Sequence, residues 1–160
     1  MSVSRVLIRL PNWLGDAVLA LPAVGAARRH FAGAAVTLAA SSSVAPLLAE
    51  QAGLEGIATL ILPDRRRDQV AALKGGRFDL AILLTNSFGS AWVVRRAGVP
   101  ERWGYRSDLR RWLLTRAVAR PRGRVHQAEY YRQLVAGLGI TARADAPRVS
   151  VTDATRSPPT

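Results

Sequence analysis

The chain has 160 residues, 49% of them hydrophobic, with thirteen glycines, nine prolines and no cysteine, enough for one globular domain that buries about two-thirds of the surface its unfolded chain would expose. The apolar content excludes disorder of the whole. The absence of cysteine excludes disulfides, thiol catalysis and cysteine-ligated zinc, and two histidines far apart, His30 and His126, argue against a multi-histidine metal centre.

In chain order, Val6–Leu10 is a short aliphatic strand ended by Pro11. Residues 14–31 read as helix, with Pro22 either kinking it or opening a second segment and Gly33 beyond its end. Ala35–Ala40 is a second strand, followed by the cap signal Ser41-Ser42-Ser43 and a helix to about Gln51. Ile57–Leu62 is a third strand. Asp64 then caps an Arg-rich helix to about Lys74, and Gly75-Gly76 stops it. Leu80–Leu84 is a continuous apolar strand, as expected when both faces of a sheet are covered. Ser87–Ala97 is helical, and Arg102–Tyr105 is a short fifth strand. Leu109–Ala119 reads as a basic helix or turn, broken by Pro121-Arg122-Gly123, and His126–Leu138 is an amphipathic helix. Strands alternating with helices predict an α/β domain over residues 1–140, a Rossmann-like, doubly wound and mostly parallel sheet. Residues 141–160, with Pro147, Pro158 and Pro159, read as a linker or frayed tail.

The formal charge of +12 is unevenly placed. Residues 81–160 carry fourteen basic and five acidic side chains, and 95–124 alone hold ten Arg against Glu101 and Asp108. A local excess points to a surface facing an anionic partner. At the N-terminus, Asn12, Gly15 and Asp16 interrupt the approach to the apolar run 17–27, which is also shorter than the ~20 residues a bilayer span needs. The expectation is a cytoplasmic protein without a secretory signal.

Ligands of doubly wound sheets bind outside the carboxyl ends of the strands, where strand order reverses. With the usual order 3-2-1-4-5, the two loops at that point are Pro11–Asp16 and Thr85–Gly89, each offering an amide, an aromatic ring and a glycine. Asp16, the only acid in the first 49 positions, admits two readings: a carboxylate favoured in a first helical turn by the macrodipole, or a general base for a substrate hydroxyl. Asn12 caps the helix or meets the ligand, and Trp13 is a packed staple or a platform for a sugar ring. Gly15 allows close backbone approach, while Asn86 and Ser87 cap the next helix or face the same ligand. Neither a G-x-G-x-x-G spacing nor a Walker lysine is present, so dinucleotide and P-loop chemistry are poorly supported. Arg side chains hold phosphates and carboxylates bidentately, which makes Arg65, Arg106 and Arg110 candidates for an acidic substrate, with His126 a further cleft candidate. Trp103, Tyr105 and Trp112, interleaved with arginines, suit single-stranded nucleic acid, a carbohydrate face or ordinary burial.

The segments VLIRLPNWLGDAVLALPAV, TNSFGSAWVVRRAGVPERWGYRSDLRRWLL and VHQAEYYRQLVAGLG together resemble the N-terminal domain of the bacterial ADP-heptose:lipopolysaccharide heptosyltransferases of glycosyltransferase family 9, the type II enzymes most closely. W-x-G-D after the first strand and N-S-F-x-S-A after the fourth are the most specific pieces. The resemblance implies one half of a two-domain GT-B arrangement, inversion at the anomeric centre, and neither metal nor cofactor, with ADP-heptose as donor substrate. It implies Asp16 as the base and an anionic, lipid-linked inner-core oligosaccharide as acceptor. The ADP-sugar would be held mainly by a C-terminal domain missing from these 160 residues, so the chain alone is expected to be a poor catalyst. Peripheral contact with anionic membrane would suit such an acceptor. The alternative is a non-enzymatic Rossmann-like module that binds RNA or an anionic surface through residues 95–124; nucleic acid ranks second because no RNA-binding motif is present.

Overall fold

The computed structural model describes residues 2–51 and 53–141. The aliphatic runs form six strands: β1 (Arg5–Arg9), β2 (Ala35–Ala40), β3 (Ala58–Ile61), β4 (Leu80–Leu83), β5 (Glu101–Tyr105) and β6 (Arg116–Val118). They pair in one sheet of order β3-β2-β1-β4-β5-β6, and every neighbouring pair is parallel. Parallel neighbours need crossovers, supplied by α1 (Leu14–His30), α2 (Ala45–Leu48), α3 (Arg66–Gly76) and α4 (Phe88–Arg96); α5 (Gln127–Gly137) follows β6. The fold is therefore the expected Rossmann-like α/β sandwich.

Side-chain alternation divides the core into two layers. Val6, Ile8 and Leu10 point with Leu38, Leu80 and Ile82 towards α1 and α5. Leu7 points with Ala39, Ala81 and Leu83 to the opposite face, towards α3 and α4. Each fully buried Leu or Ile contributes about 1.5–3 kcal/mol, and both layers are lost if β1 slips by one residue. The sheet-facing side of α1 is mostly alanine, with Ala17, Ala20, Ala23, Ala26 and Ala27 buried, which lets α1 sit close to the sheet and to α5. Asp79 ties the start of β1 to β4, accepting hydrogen bonds at 2.9 Å from the backbone amides of Ser4 and Arg5 and from Ser4 Oγ. These bonds hold its carboxyl below the usual aspartate range.

Several local expectations are corrected. α1 runs through Pro22 as one helix, so Pro22 opens no second segment; packing on both sides outweighs the one backbone hydrogen bond that proline removes. The serine triplet does not cap a long helix, because Ser41 Oγ and Ser43 Oγ bond each other at 3.0 Å, and only Ala45–Leu48 is helical. Asp64 does not cap α3, whose N-cap is Arg65 without a side-chain bond. Gly75 and Gly76 lie inside that helix, and the left-handed residue that ends it is Arg77, at φ 49°. The stretch read as basic helix or turn divides into a 3-10 helix, Asp108–Leu113, and the unforeseen edge strand β6. Thr115 sets the register of that edge, its Oγ1 accepting from Arg102 N and its amide donating to Arg102 O, both at 2.8 Å. Within the expected tail, residues 142–160 lie outside the described residues.

Candidate functional site: the cleft between the first and fourth strands

From β1 the chain crosses to one face of the sheet through α1, and from β4 to the other through α4. This reversal leaves a crevice at the carboxyl ends of β1 and β4, a cleft of about 190 Å³. Its walls are Pro11, Asn12, Trp13 and Asp16 from the first loop and helix, Leu84–Ser87 from the second, and Gln127 and Tyr131 from α5. The structure thus brings together five of the expected site residues: Asn12, Trp13, Asp16, Asn86 and Ser87.

Asp16 sits half-buried in the first turn of α1 and makes no hydrogen bond or ion pair among the described residues, so its carboxylate is available to the cleft. Across from it, Tyr131 is only 2% exposed and accepts a hydrogen bond from Gln127 Nε2 at 3.0 Å. Burial pushes its phenol up to about 12; the Gln127 bond opposes this, and the charge of Asp16 adds to it. Tyr131 therefore keeps its proton at physiological pH and can donate it.

Asn12 is not a helix cap. Its Oδ1 accepts at 2.6 Å from the Arg9 guanidinium, which also donates to Leu10 O at 2.9 Å. Arg9 is buried, and desolvation lowers its pKa to about 10, leaving it cationic beneath the loop. Trp13 is the N-cap of α1 and is 77% exposed, which rules out the packed staple and leaves the ring open to a ligand. In the second loop Ser87 does cap α4, its Oγ accepting from Ser90 N at 3.2 Å, and Thr85 Oγ1 donates to Ser90 Oγ at 2.6 Å. Asn86 is different: its Oδ1 is buried and has no hydrogen-bond partner among the described residues.

Other expected residues lie elsewhere. Gly15 is in α1, with open space where a side chain would project. His126 is exposed and caps α5, its Nδ1 accepting from Ala128 N at 3.2 Å; its helix instead sends Gln127 and Tyr131 to the cleft. Arg65 and Arg106 are exposed outside the cleft walls. Arg110, expected on an anion-facing surface, is 0% exposed and donates to the carbonyls of Tyr105 at 2.9 Å and Thr85 at 2.6 Å. Arg102 and Arg116 also serve carbonyls, those of Val99, Leu113 and Leu138. Three of the ten arginines in 95–124 therefore serve backbone carbonyls, although only Arg110 is buried and eight stay exposed. The aromatic series divides likewise: Tyr105 is buried and donates to Tyr130 O, while Trp103 is partly buried beneath Arg116 and bonded to Glu101. Only Trp112 of the three is exposed, so they form no stacking platform for nucleic acid. Gln127 and Tyr131 were legible only as an i,i+4 pair sharing one helix face.

Residues 66–158 match the model of the family described as Glycosyltransferase family 9 (heptosyltransferase). Lipopolysaccharide heptosyltransferase 2 of Escherichia coli (strain K12) is 29% identical over 117 residues, which is 69% of this chain and 33% of that protein. Its counterpart from Salmonella typhimurium is 28% identical over 120 residues, 71% of this chain and 34% of the relative. Among solved structures, E. coli ADP-heptose lps heptosyltransferase II superposes with a TM-score of 0.72 at 23% identity, covering 94% of this chain and 47% of that one. The glycosyl transferase family 9 structure from Veillonella parvula gives 0.70 at 20%, covering 88% and 43%. The chain spans about a third of the length of the curated relatives it matches.

Proposed function

We propose an acceptor-binding role on this premise: the chain belongs to glycosyltransferase family 9, the heptosyltransferases. In our reading the cleft holds a sugar acceptor, and Asp16 serves as the base in an inverting transfer of heptose from ADP-heptose to a lipid-linked inner-core oligosaccharide. The observation that carries it is the composition of one crevice: an unpartnered carboxylate, the orphaned acceptor Asn86 Oδ1 and the exposed Trp13 ring share its walls. Sugars need just these complements, since their hydroxyls donate to an amide oxygen and their C–H faces lie on an indole. A buried acceptor without a partner costs about 1–3 kcal/mol in the free protein, and a bound hydroxyl removes that cost.

The proposed step balances simply. The acceptor hydroxyl oxygen forms a bond to the anomeric carbon, the bond from that carbon to the ADP phosphate oxygen breaks, and ADP leaves with the electron pair. Asp16 takes the hydroxyl proton as the new bond forms. Tyr131, still protonated, donates a hydrogen bond within the cleft, and Arg9 anchors Asn12. The likeness to lipopolysaccharide heptosyltransferase 2 and to ADP-heptose lps heptosyltransferase II supports the donor and acceptor classes. No cofactor enters this scheme.

The test is transfer from ADP-heptose to a lipid-linked core acceptor, measured on the protein and on its Asp16→Asn variant. Asp16→Asn is expected to lower kcat by about 10²–10⁴-fold with unchanged circular dichroism and thermal unfolding. Turnover within a few-fold of the parent would remove Asp16 from the chemistry.

A further inference from the structure

The cleft lies where the strands end; a second cavity lies where they begin. Because β1, β2 and β3 are parallel, their first residues gather at one end of the sheet, beside the last turn of α1. Between them is a hollow of about 620 Å³, about three times the volume of the cleft and within the range of small-molecule sites. Its walls divide by chemistry. Phe31, Val36 and Ile57 are half-buried and give it an apolar side, and Arg5, Arg28 and Arg29 give it a cationic one. Among the described residues no acidic side chain lines it. The acids that neighbour it are turned to backbone amides: Glu55 Oε2 accepts from Gly53 N at 2.8 Å, and Asp79 accepts from Ser4 N and Arg5 N. Bonds from the amides of Glu55 itself and Gly53 hold the Glu55 carboxyl below the usual glutamate range.

The three arginines are held differently. Arg28 is fastened to the wall, donating to Gly53 O and, at 2.8 Å, to Glu55 O. Arg29 is exposed and lies back along α1 over Gly25, where a Cβ would stand 3.3 Å from its Nη1; its guanidinium makes no hydrogen bond or ion pair among the described residues. The Arg5 guanidinium, also exposed, rests only over the Phe78 ring, 6.0 Å from its centroid. Cations in a last helical turn complement the macrodipole, which accounts for arginine at 28 and 29. It does not account for Arg5, which comes from a strand, or for the hollow that the three surround.

We propose that this hollow binds a small organic phosphate, with phosphate oxygens on Arg5 and Arg29 and the apolar or ring portion against Phe31, Val36 and Ile57. Arg28 holds the loop before β3 that forms the far wall. Guanidinium forks match phosphate oxygens bidentately, and a phosphate dianion uses two cations at once, where a single carboxylate leaves one idle. Three guanidiniums outweigh the roughly half negative charge that a helix C-terminus presents. Concavity favours a compact ligand over the extended backbone of a nucleic acid. The site is at the far end of the sheet from Asp16 and does not depend on the acceptor reading of the cleft.

The experiment is titration of the isotope-labelled protein with phenyl phosphate, inorganic phosphate and benzyl alcohol at about 0.1 M salt, followed by amide chemical shifts. Phenyl phosphate is expected to saturate and to move the amides of Gly25, Arg29, Gly53 and Ile57, with the Trp13 indole of the cleft unmoved. Inorganic phosphate should act on the same amides several-fold more weakly, and benzyl alcohol should leave them in place. Arg5→Gln/Arg29→Gln is expected to weaken phenyl phosphate about tenfold through the lost charge-assisted bonds. Arg67→Gln/Lys74→Gln removes the same charge from α3 on the other face of the sheet and should leave binding unchanged. All four side chains are exposed, so the thermal melts should match the parent's. Three results would each overturn the proposal: no saturable shift at these amides, shifts centred on the cleft instead, or equal weakening by the two pairs, which would mean diffuse attraction to the net charge. Inorganic phosphate binding as tightly as phenyl phosphate would overturn the organic half of the ligand. Because no transfer is measured, an inactive Asp16 reading and an empty hollow remain separate outcomes.

Discussion

Under the proposed acceptor-binding role, Asn86 is a position where stability and binding pull apart. Its backbone carbonyl is well used, accepting from Ser107 Oγ at 2.6 Å, whereas its side-chain Oδ1 is buried without a partner. Removing an unsatisfied buried acceptor relieves a desolvation cost, and removing a ligand contact weakens binding. Asn86→Ala should therefore melt at the parent's temperature or slightly above, while its dissociation constant for an inner-core oligosaccharide rises about tenfold, equivalent to roughly 1.4 kcal/mol. Calorimetric titration beside a thermal melt checks both halves. A variant that melts several degrees lower and binds normally would make Asn86 a structural residue. Arg9 is the opposite case: a buried cation bonded to Leu10 O and Asn12 Oδ1, shaping the cleft loop from beneath rather than meeting solvent.

Two glycines, at β5 and at the start of α4, separate a rigid contact from a soft one. A Cβ at Gly104 would come within 2.7 Å of the Arg110 guanidinium and 3.3 Å of Leu83. Arg110 cannot yield, because its other nitrogens are bound to the carbonyls of Tyr105 and Thr85. A Cβ at Gly89 would also meet a guanidinium, that of Arg66, at 2.6 Å, but Arg66 is an exposed side chain that can swing away. Gly104→Ala should destabilise by about 1–3 kcal/mol and Gly89→Ala by well under 1 kcal/mol, read from denaturant unfolding. Equal losses would mean that Arg110 does not lock the β5 turn as its bonds imply. The same locking explains why the 3-10 helix can hold Leu109 and Trp112 in the open: the element is fixed by its buried arginine and by Leu113 in the core, not by those two side chains.

For the whole molecule the governing quantity is net charge. At +12, and with Arg132–Glu129 the only ion pair among the described residues, the folded chain has much like-charge repulsion and few attractive pairs to lose. Raising salt from about 20 to about 300 mM shortens the Debye length from roughly 20 Å to roughly 6 Å, and should raise Tm by a few degrees. A Tm that falls with salt would show that attractive pairs dominate after all. None of the described helices is long and apolar enough to cross a membrane.

Hydrophobic periodicity in the sequence was enough to fix the α/β class and the parallel sheet, because the runs Val6–Leu10 and Leu80–Leu84 are apolar on both faces and only a doubly covered sheet accommodates that. The loops after β1 and β4 were legible as the cleft for the same reason: strand order alone places them together. Direction of side chains was not legible. Arg110 and Arg111 are neighbours in sequence and identical in chemistry, yet one is buried on backbone carbonyls and the other lies over Trp112; that choice depends on which carbonyls the β4–α4 loop brings within reach. Tyr131 and Gln127 lie more than 100 residues from Asp16, and nothing local pairs them. The packing of α5 on α1 closes that distance and turns two loops into a walled site.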